Sequence, residues 1–122
     1  MFKMTKIVIP VMDAEGKVLS GHFGIAPYFV WYEVVAGAVT ERGIVPNDSD
    51  HFGGKGAPPE RIQMLNPDAV ISPGMGMKAI NMFQGMKIAV LKGEGPTVEE
   101  NIRLFIEGRL QELTEGCLHV HD

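Results

Sequence analysis

The chain has 122 residues, 45% hydrophobic and 21% charged, with a net charge of −4. That length suits one domain with a real core, so residues 1–122 are expected to form a single domain, ordered over about 4–110 with a looser tail at 111–122. The acidic balance, the absence of a Lys/Arg cluster and the lack of any apolar run near the roughly 18 residues of a membrane span exclude nucleic acid and membrane as expected partners.

Lys6-Ile-Val-Ile-Pro-Val11 is a near-continuous β-branched run, the signature of a central strand buried on both faces. The charged start Met1–Lys6 is followed by an apolar segment cut by Pro10 and Asp13, unlike a signal peptide, so the cytoplasm is the expected compartment. Met12–Lys17 is turn-like, and Val18–Pro27 carries too many Gly and Pro for a long regular element and reads as an ordered loop. Tyr28–Val35 and Ala38–Val45, separated by Ala36-Gly37, read as a hairpin whose second strand is near an edge. Pro46–Pro59 is polar, Gly-rich and expected to be mobile, and Pro59–Asn66 reads as a short helix stopped by Asn66-Pro67. Ala69-Val-Ile71 then forms a strand, Ser72-Pro-Gly-Met-Gly76 a tight turn, and Met77, Ala79, Ile80, Met82 and Phe83 recur with helical spacing. Met86–Leu91 reads as a further parallel strand. Thr97-Val-Glu-Glu100 matches a capping box, opening a helix that runs to about Gly108 with Val98, Ile102, Phe105 and Ile106 inward. The order β, β-hairpin, α, β, α, β, α predicts an α/β domain built on one mixed five-stranded sheet with helices on both faces.

The chemistry-bearing residues are few. Ser20-Gly21-His22-Phe23-Gly24 holds a histidine between glycines, where a ring can be aimed outward beside bare backbone N–H groups; a loop histidine bonded to a neighbouring carbonyl is the competing explanation. Ser72, Gly74, Met75 and Gly76 sit where a strand feeds a helix, a usual ligand position in open α/β sheets, although a tight connection would need the same residues. The turn lacks the third Gly of a dinucleotide fingerprint and the Lys-Ser/Thr of a P-loop, so no nucleotide is predicted. His51-Phe-Gly-Gly-Lys55-Gly56 repeats the His-Phe-Gly theme, with Lys55 able to add charge to an anion-binding nest. Cys117, His119 and His121 alternate as a thiolate and two imidazoles, a set that could meet a borderline-soft metal or belong to a frayed terminus. Cys117 is the single cysteine, which excludes an intrachain disulfide and a four-thiolate iron–sulfur site. No nucleophile–base–acid set is visible, and Asp13, Asp48, Asp50 and Asp68 show no two-metal spacing, so an enzyme is not expected.

Taken together, Lys6–Pro10, Ser20–Phe29, Asp68–Ala79, Gly85–Val90 and Thr97–Glu100 resemble the dinitrogenase iron-molybdenum cofactor biosynthesis family over nearly the whole chain. Ser-x-His-Phe-Gly followed later by Gly-x-Gly-x-x-Ala carries that resemblance. Met75 stands where the family often has Ile or Leu. The resemblance implies a single-domain, ribonuclease-H-like three-layer fold with strand order 3-2-1-4-5. It also implies that His22 and the two Gly-rich loops border a molybdenum- or iron-containing sulfur cluster. The resulting expectation is a non-catalytic carrier or accessory protein, monomer or weak homodimer, exchanging a cluster or its precursor with donor and acceptor proteins. Its cofactor-binding residues are Ser20, Gly21, His22, Phe23, Gly24, Lys55, Ser72, Gly74, Met75 and Gly76, with His22, Cys117, His119 and His121 as metal ligands. A small regulatory interaction domain, or an enzyme using the same loops, is the alternative.

Overall fold

β1 (Met4–Val11) lies at the middle of the sheet, and four of its apolar side chains are fully buried, Val8 toward one face and Ile7, Ile9 and Val11 toward the other. The computed structural model describes residues 4–49, 54 and 56–113. Within them the chain continues as β2 (Tyr28–Val35), β3 (Ala38–Pro46), α1 (Pro58–Gln63), β4 (Ala69–Ser72), α2 (Met77–Gly85), β5 (Ala89–Lys92) and α3 (Val98–Ile106). The sheet order is β3-β2-β1-β4-β5, as expected from the resemblance. β1 pairs antiparallel with β2 and parallel with β4; β2 and β3 are antiparallel, β4 and β5 parallel.

Each face of the sheet has its own core. Val8, Phe29, Val70 and Val90 point toward α1 and α2, meeting Ile62, Ala79, Ile80 and Phe83. Ile7, Ile9, Val11, Val30 and Ile71 point the other way and meet Val98 and Ile102 of α3. The split follows from the two-residue period of a strand, which sends neighbouring side chains to opposite faces. One face therefore carries two helices and the other carries one. No helix among the described residues is long and apolar enough to cross a membrane.

The boundaries differ from the sequence reading where helix ends tighten. Met86–Ile88, expected to begin the fifth strand, instead close α2: the Met86 N–H reaches the Met82 and Phe83 carbonyls, and the Ile88 N–H reaches Phe83. Lys87 adopts φ 62° to make this turn, so β5 starts only at Ala89. α1 spans Pro58–Gln63 rather than Pro59–Asn66, and Asn66 at φ 55° turns the chain into β4. Thr97 caps α3 by accepting the Glu100 N–H, as the sequence suggests, but the Glu100 carboxylate packs at Gly95 and Ile106 is partly exposed. Gln111–Leu113, assigned to the tail, lie along β5: the Lys92 N–H donates to Gln111 and the Leu113 N–H to Val90.

Candidate functional site

Parallel pairing puts the carboxyl ends of β1, β4 and β5 at one edge of the sheet, and antiparallel pairing brings the start of β2 and the end of β3 to that same edge. The segments over 12–27, 47–49, 73–76 and 93–97 therefore all begin there. Between β1 and β4 the chain changes direction across the sheet, the position at which open α/β sheets leave a crevice. The Ser20–Gly24 segment starts against the end of β1, where the Ser20 N–H donates to the Pro10 carbonyl, and Ser72–Gly76 leaves the end of β4 beside it.

Both segments use the same local device. Ser20 is buried and its hydroxyl donates to the His22 carbonyl at 2.8 Å; Ser72 is buried and its hydroxyl donates to the Gly74 carbonyl at 2.7 Å. A buried hydroxyl that satisfies a carbonyl two residues on folds the chain back sharply and satisfies its own donor. Behind the first turn Phe23 is 1% exposed and its ring meets Phe29 at 5.6 Å and Phe83 at 5.4 Å. The side chain of Phe23 thus nails the loop to the core, leaving His22 and Gly21 outside and exposed. Met75 does the same for the second segment: its side chain is 1% exposed and packed in the α1/α2 core.

The glycines are informative by their angles. Among the described residues the positive-φ glycines are Gly16, Gly37, Gly56, Gly95 and Gly108, each placed at a turn. Gly21, Gly24, Gly74 and Gly76 are not among them, and Gly76 caps α2 at φ −69°, so the left-handed backbone that would excuse a glycine is not the reason for these four. A side-chain carbon added at Gly21 would meet nothing within 4 Å. The N–H groups of Gly21, Gly24, Gly74 and Met75 make no hydrogen bond to another described residue.

Two residues missed in the sequence hold these loops. Asn47, 4% exposed, donates to the Gly24 and Ala26 carbonyls and accepts the Ser49 N–H, tying the end of the His22 loop to the segment after β3. That segment is in turn fixed to α1 by a two-pronged Arg61–Asp48 pair at 2.9 and 2.6 Å, in which the guanidinium holds the Asp48 carboxyl below its usual range. Asn101, fully buried, donates to the Glu94 and Thr97 carbonyls and accepts the Glu94 N–H, bracing the loop over 93–97. Gly93 fits tightly among Leu19, Pro73 and Asn101, where a side chain would crowd them. The described part of 46–59 is therefore packed at its start rather than a loose linker.

The acids go to structural tasks. Asp13 accepts the Lys17 and Val18 N–H groups, Asp48 binds Arg61, and Asp68 accepts the Lys6 N–H. Among the described residues no three His, Cys, Asp or Glu side chains converge on a common point. Asp50, His51, Lys55, Cys117, His119 and His121 lie outside the described residues.

The profile of the dinitrogenase iron-molybdenum cofactor proteins matches residues 5–108. The chain belongs to that family. Its similarity to individual members is moderate: it is 29% identical over 111 residues to an uncharacterised protein of Methanocaldococcus jannaschii, covering 89% of this chain and 92% of that one. It is also similar to a second protein of that organism, provisionally called a dinitrogenase, with 28% identity, a TM-score of 0.75 and coverage of 94% and 99% of the two chains. A Thermotoga protein provisionally called a NifB protein gives 28% identity, a TM-score of 0.70 and coverage of 95% and 99%. The dinitrogenase cofactor family thus spans both Gly-rich loops and the whole sheet of this chain, and its name links the chain to an iron-molybdenum cofactor.

Proposed function

We propose that the protein is a non-catalytic carrier or accessory protein of cofactor assembly, which receives a molybdenum- or iron-containing sulfur cluster, or its precursor, from one protein and passes it to another. On this reading the cluster is cargo, lodged between the Ser20–Gly24 and Ser72–Gly76 loops. His22 supplies an imidazole, and the N–H groups of Gly21, Gly24, Gly74 and Met75 face the cluster's anionic sulfides. Lys55 supplies a positive charge. The donor set fits such cargo: backbone N–H groups and one imidazole suit an anion whose metals already carry sulfide, because N–H groups stabilise the sulfur charge. The proposal extends to a single ribonuclease-H-like domain, monomeric or weakly dimeric, working in the cytoplasm.

The observation that carries the reading is Gly21. Its φ is outside the left-handed region and a side chain there would meet open space, so the fold places no demand for glycine at this position. A ligand pressing on the backbone would. The test is anaerobic reconstitution with iron, molybdate or thiomolybdate and sulfide, followed by desalting, absorbance and metal analysis. Wild type should keep a chromophore and stoichiometric metal, and Gly21→Val should lose most of both while its unfolding curve is unchanged. Wild-type protein emerging colourless and metal-free would sink the carrier reading.

A further inference from the structure

The face covered by α3 alone leaves a gap. Between α3 and the β2–β3 hairpin, roofed by the turn at 15–17, lies a cleft of about 550 Å³, within the range of small-molecule sites. It shares no residue with the Ser20–Gly24 or Ser72–Gly76 loops. Tyr32, Val98 and Ile102 form its floor, and Val39 stands at its outer wall, 43% exposed. An apolar wall left in water at the mouth of an apolar cleft would gain from an apolar body laid against it.

The polar group of the cleft is Arg42. Its guanidinium lies over the Tyr32 ring, 5.6 Å from the centroid, and one of its nitrogens donates to the Glu15 carbonyl at 2.8 Å. From the other side it abuts Gly16, whose φ of 73° and missing side chain leave room for it: a carbon added there would lie 2.9 Å from the same nitrogen. The fork is thus clamped between a ring, a carbonyl and a glycine, and it forms no ion pair with a carboxylate among the described residues. Five donors on a planar fork, one of them used, match a carboxylate in two-pronged geometry, and a held fork sacrifices little side-chain freedom on binding. The other charges of the cleft are accounted for. Lys17 pairs with Glu15 at 3.1 Å, while Glu99, in the first turn of α3, would repel an anion.

We propose that this cleft is a binding site for a small carboxylate with an apolar body, the carboxylate on Arg42 and the body against Tyr32, Val39 and Ile102. The site is independent of the cluster reading. The test is a titration of the ¹⁵N-labelled full chain, followed by amide spectra, with 4-phenylbutyrate and separately with 4-phenylbutanol, which keeps the body and removes the charge. Saturable shifts are expected at Gly16, Lys17 and Val98, with the acid binding about tenfold more tightly than the alcohol. Arg42→Gln should bring the acid down to the affinity of the alcohol, and Glu99→Gln should tighten the acid about two- to threefold by removing a repelling charge. Circular dichroism checks that both variants remain folded. Equal affinities of acid and alcohol for wild type, or shifts that centre elsewhere, overturn the proposal without any variant being needed.

Discussion

The crevice at the strand ends and the cleft beside α3 are walled by different parts of the polypeptide. The strand ends are bordered by main chain: glycines without left-handed angles, N–H groups with no partner among the described residues, and side chains such as Phe23 and Met75 turned away into the core. The cleft is bordered by side chains, with Tyr32, Val39, Val98 and Ile102 as its surface and a clamped Arg42 as its polar point. The difference teaches where to look for sensitivity. Main-chain walls respond to atoms added at glycines and to the residues that anchor loops from behind; side-chain walls respond to atoms removed or charges changed.

The comparison is tested most severely behind the crevice. Phe23→Ala removes a ring that is 1% exposed and meets two others, so it should cost about 3–5 kcal/mol in urea unfolding. A loss near zero would mean that Phe23 is not what holds the His22 loop. Asn47→Ala leaves two carbonyls and an N–H without their partner and should cost about 1–3 kcal/mol, with amide exchange at Gly24 and Ala26 rising more than elsewhere. Uniform exchange changes would show Asn47 to act on the whole fold rather than on the loop.

In front of the crevice the expected stability effects are small. Gly21→Val and His22→Ala should each stay within about 0.5 kcal/mol of wild type, because their side-chain positions are outside the core. Both should nevertheless release reconstituted metal on desalting. If His22→Ala unfolds as readily as it loses metal, the imidazole is structural.

The smallest effect belongs to the roof of the cleft. Partial desolvation pushes the Asp13 carboxyl up, but the N–H groups of Val18 and Lys17 outweigh it and hold the carboxyl below its ordinary value. A depressed folded value means that this contribution is complete above the unfolded value of about 4 and disappears as pH falls through the lower folded one. Thermal melts between neutral and acid pH should therefore show Asp13→Asn losing part of the acid-side slope; identical slopes would remove Asp13 from the account. Glu33 has the opposite sign, since desolvation and the Glu41 carboxyl beside it push it up, so its contribution weakens as pH rises.

How much of this was legible depends on whether the signal is local. β1, β2 and β4 announce themselves by composition, and Thr97 by its capping position, because each needs only its neighbours in sequence. Met86–Ile88 look like strand for the same reason, but the tight exit from α2 claims them. Ser20 and Ser72 were visible as parts of Gly-rich loops, whereas their shared turn depends on a carbonyl two residues on, which no composition displays. Asn47 and Asn101 read as ordinary polar residues; their burial is decided by loops from other parts of the chain. The cleft is less legible still. Gly16, Arg42 and Ile102 come together through topology alone, and no window of sequence contains them.

The position of β1 has a consequence in time. Its antiparallel partner β2 follows within a short stretch, but its parallel partner β4 lies 62 residues along the chain, as in the pairing of Ile7 with Ala69. Closing so long a loop costs more entropy than closing a hairpin and slows the contacts that depend on it. The β1–β2–β3 meander should therefore gain amide protection first during refolding, with the β1–β4 seam following, as pulsed hydrogen exchange can establish. The crevice is bounded by that seam. A chain whose meander is already ordered would still lack that boundary until the later strand docks, so on the carrier reading proposed above, loading would report completion of the fold. Simultaneous protection of β2 and β4 would remove that ordering.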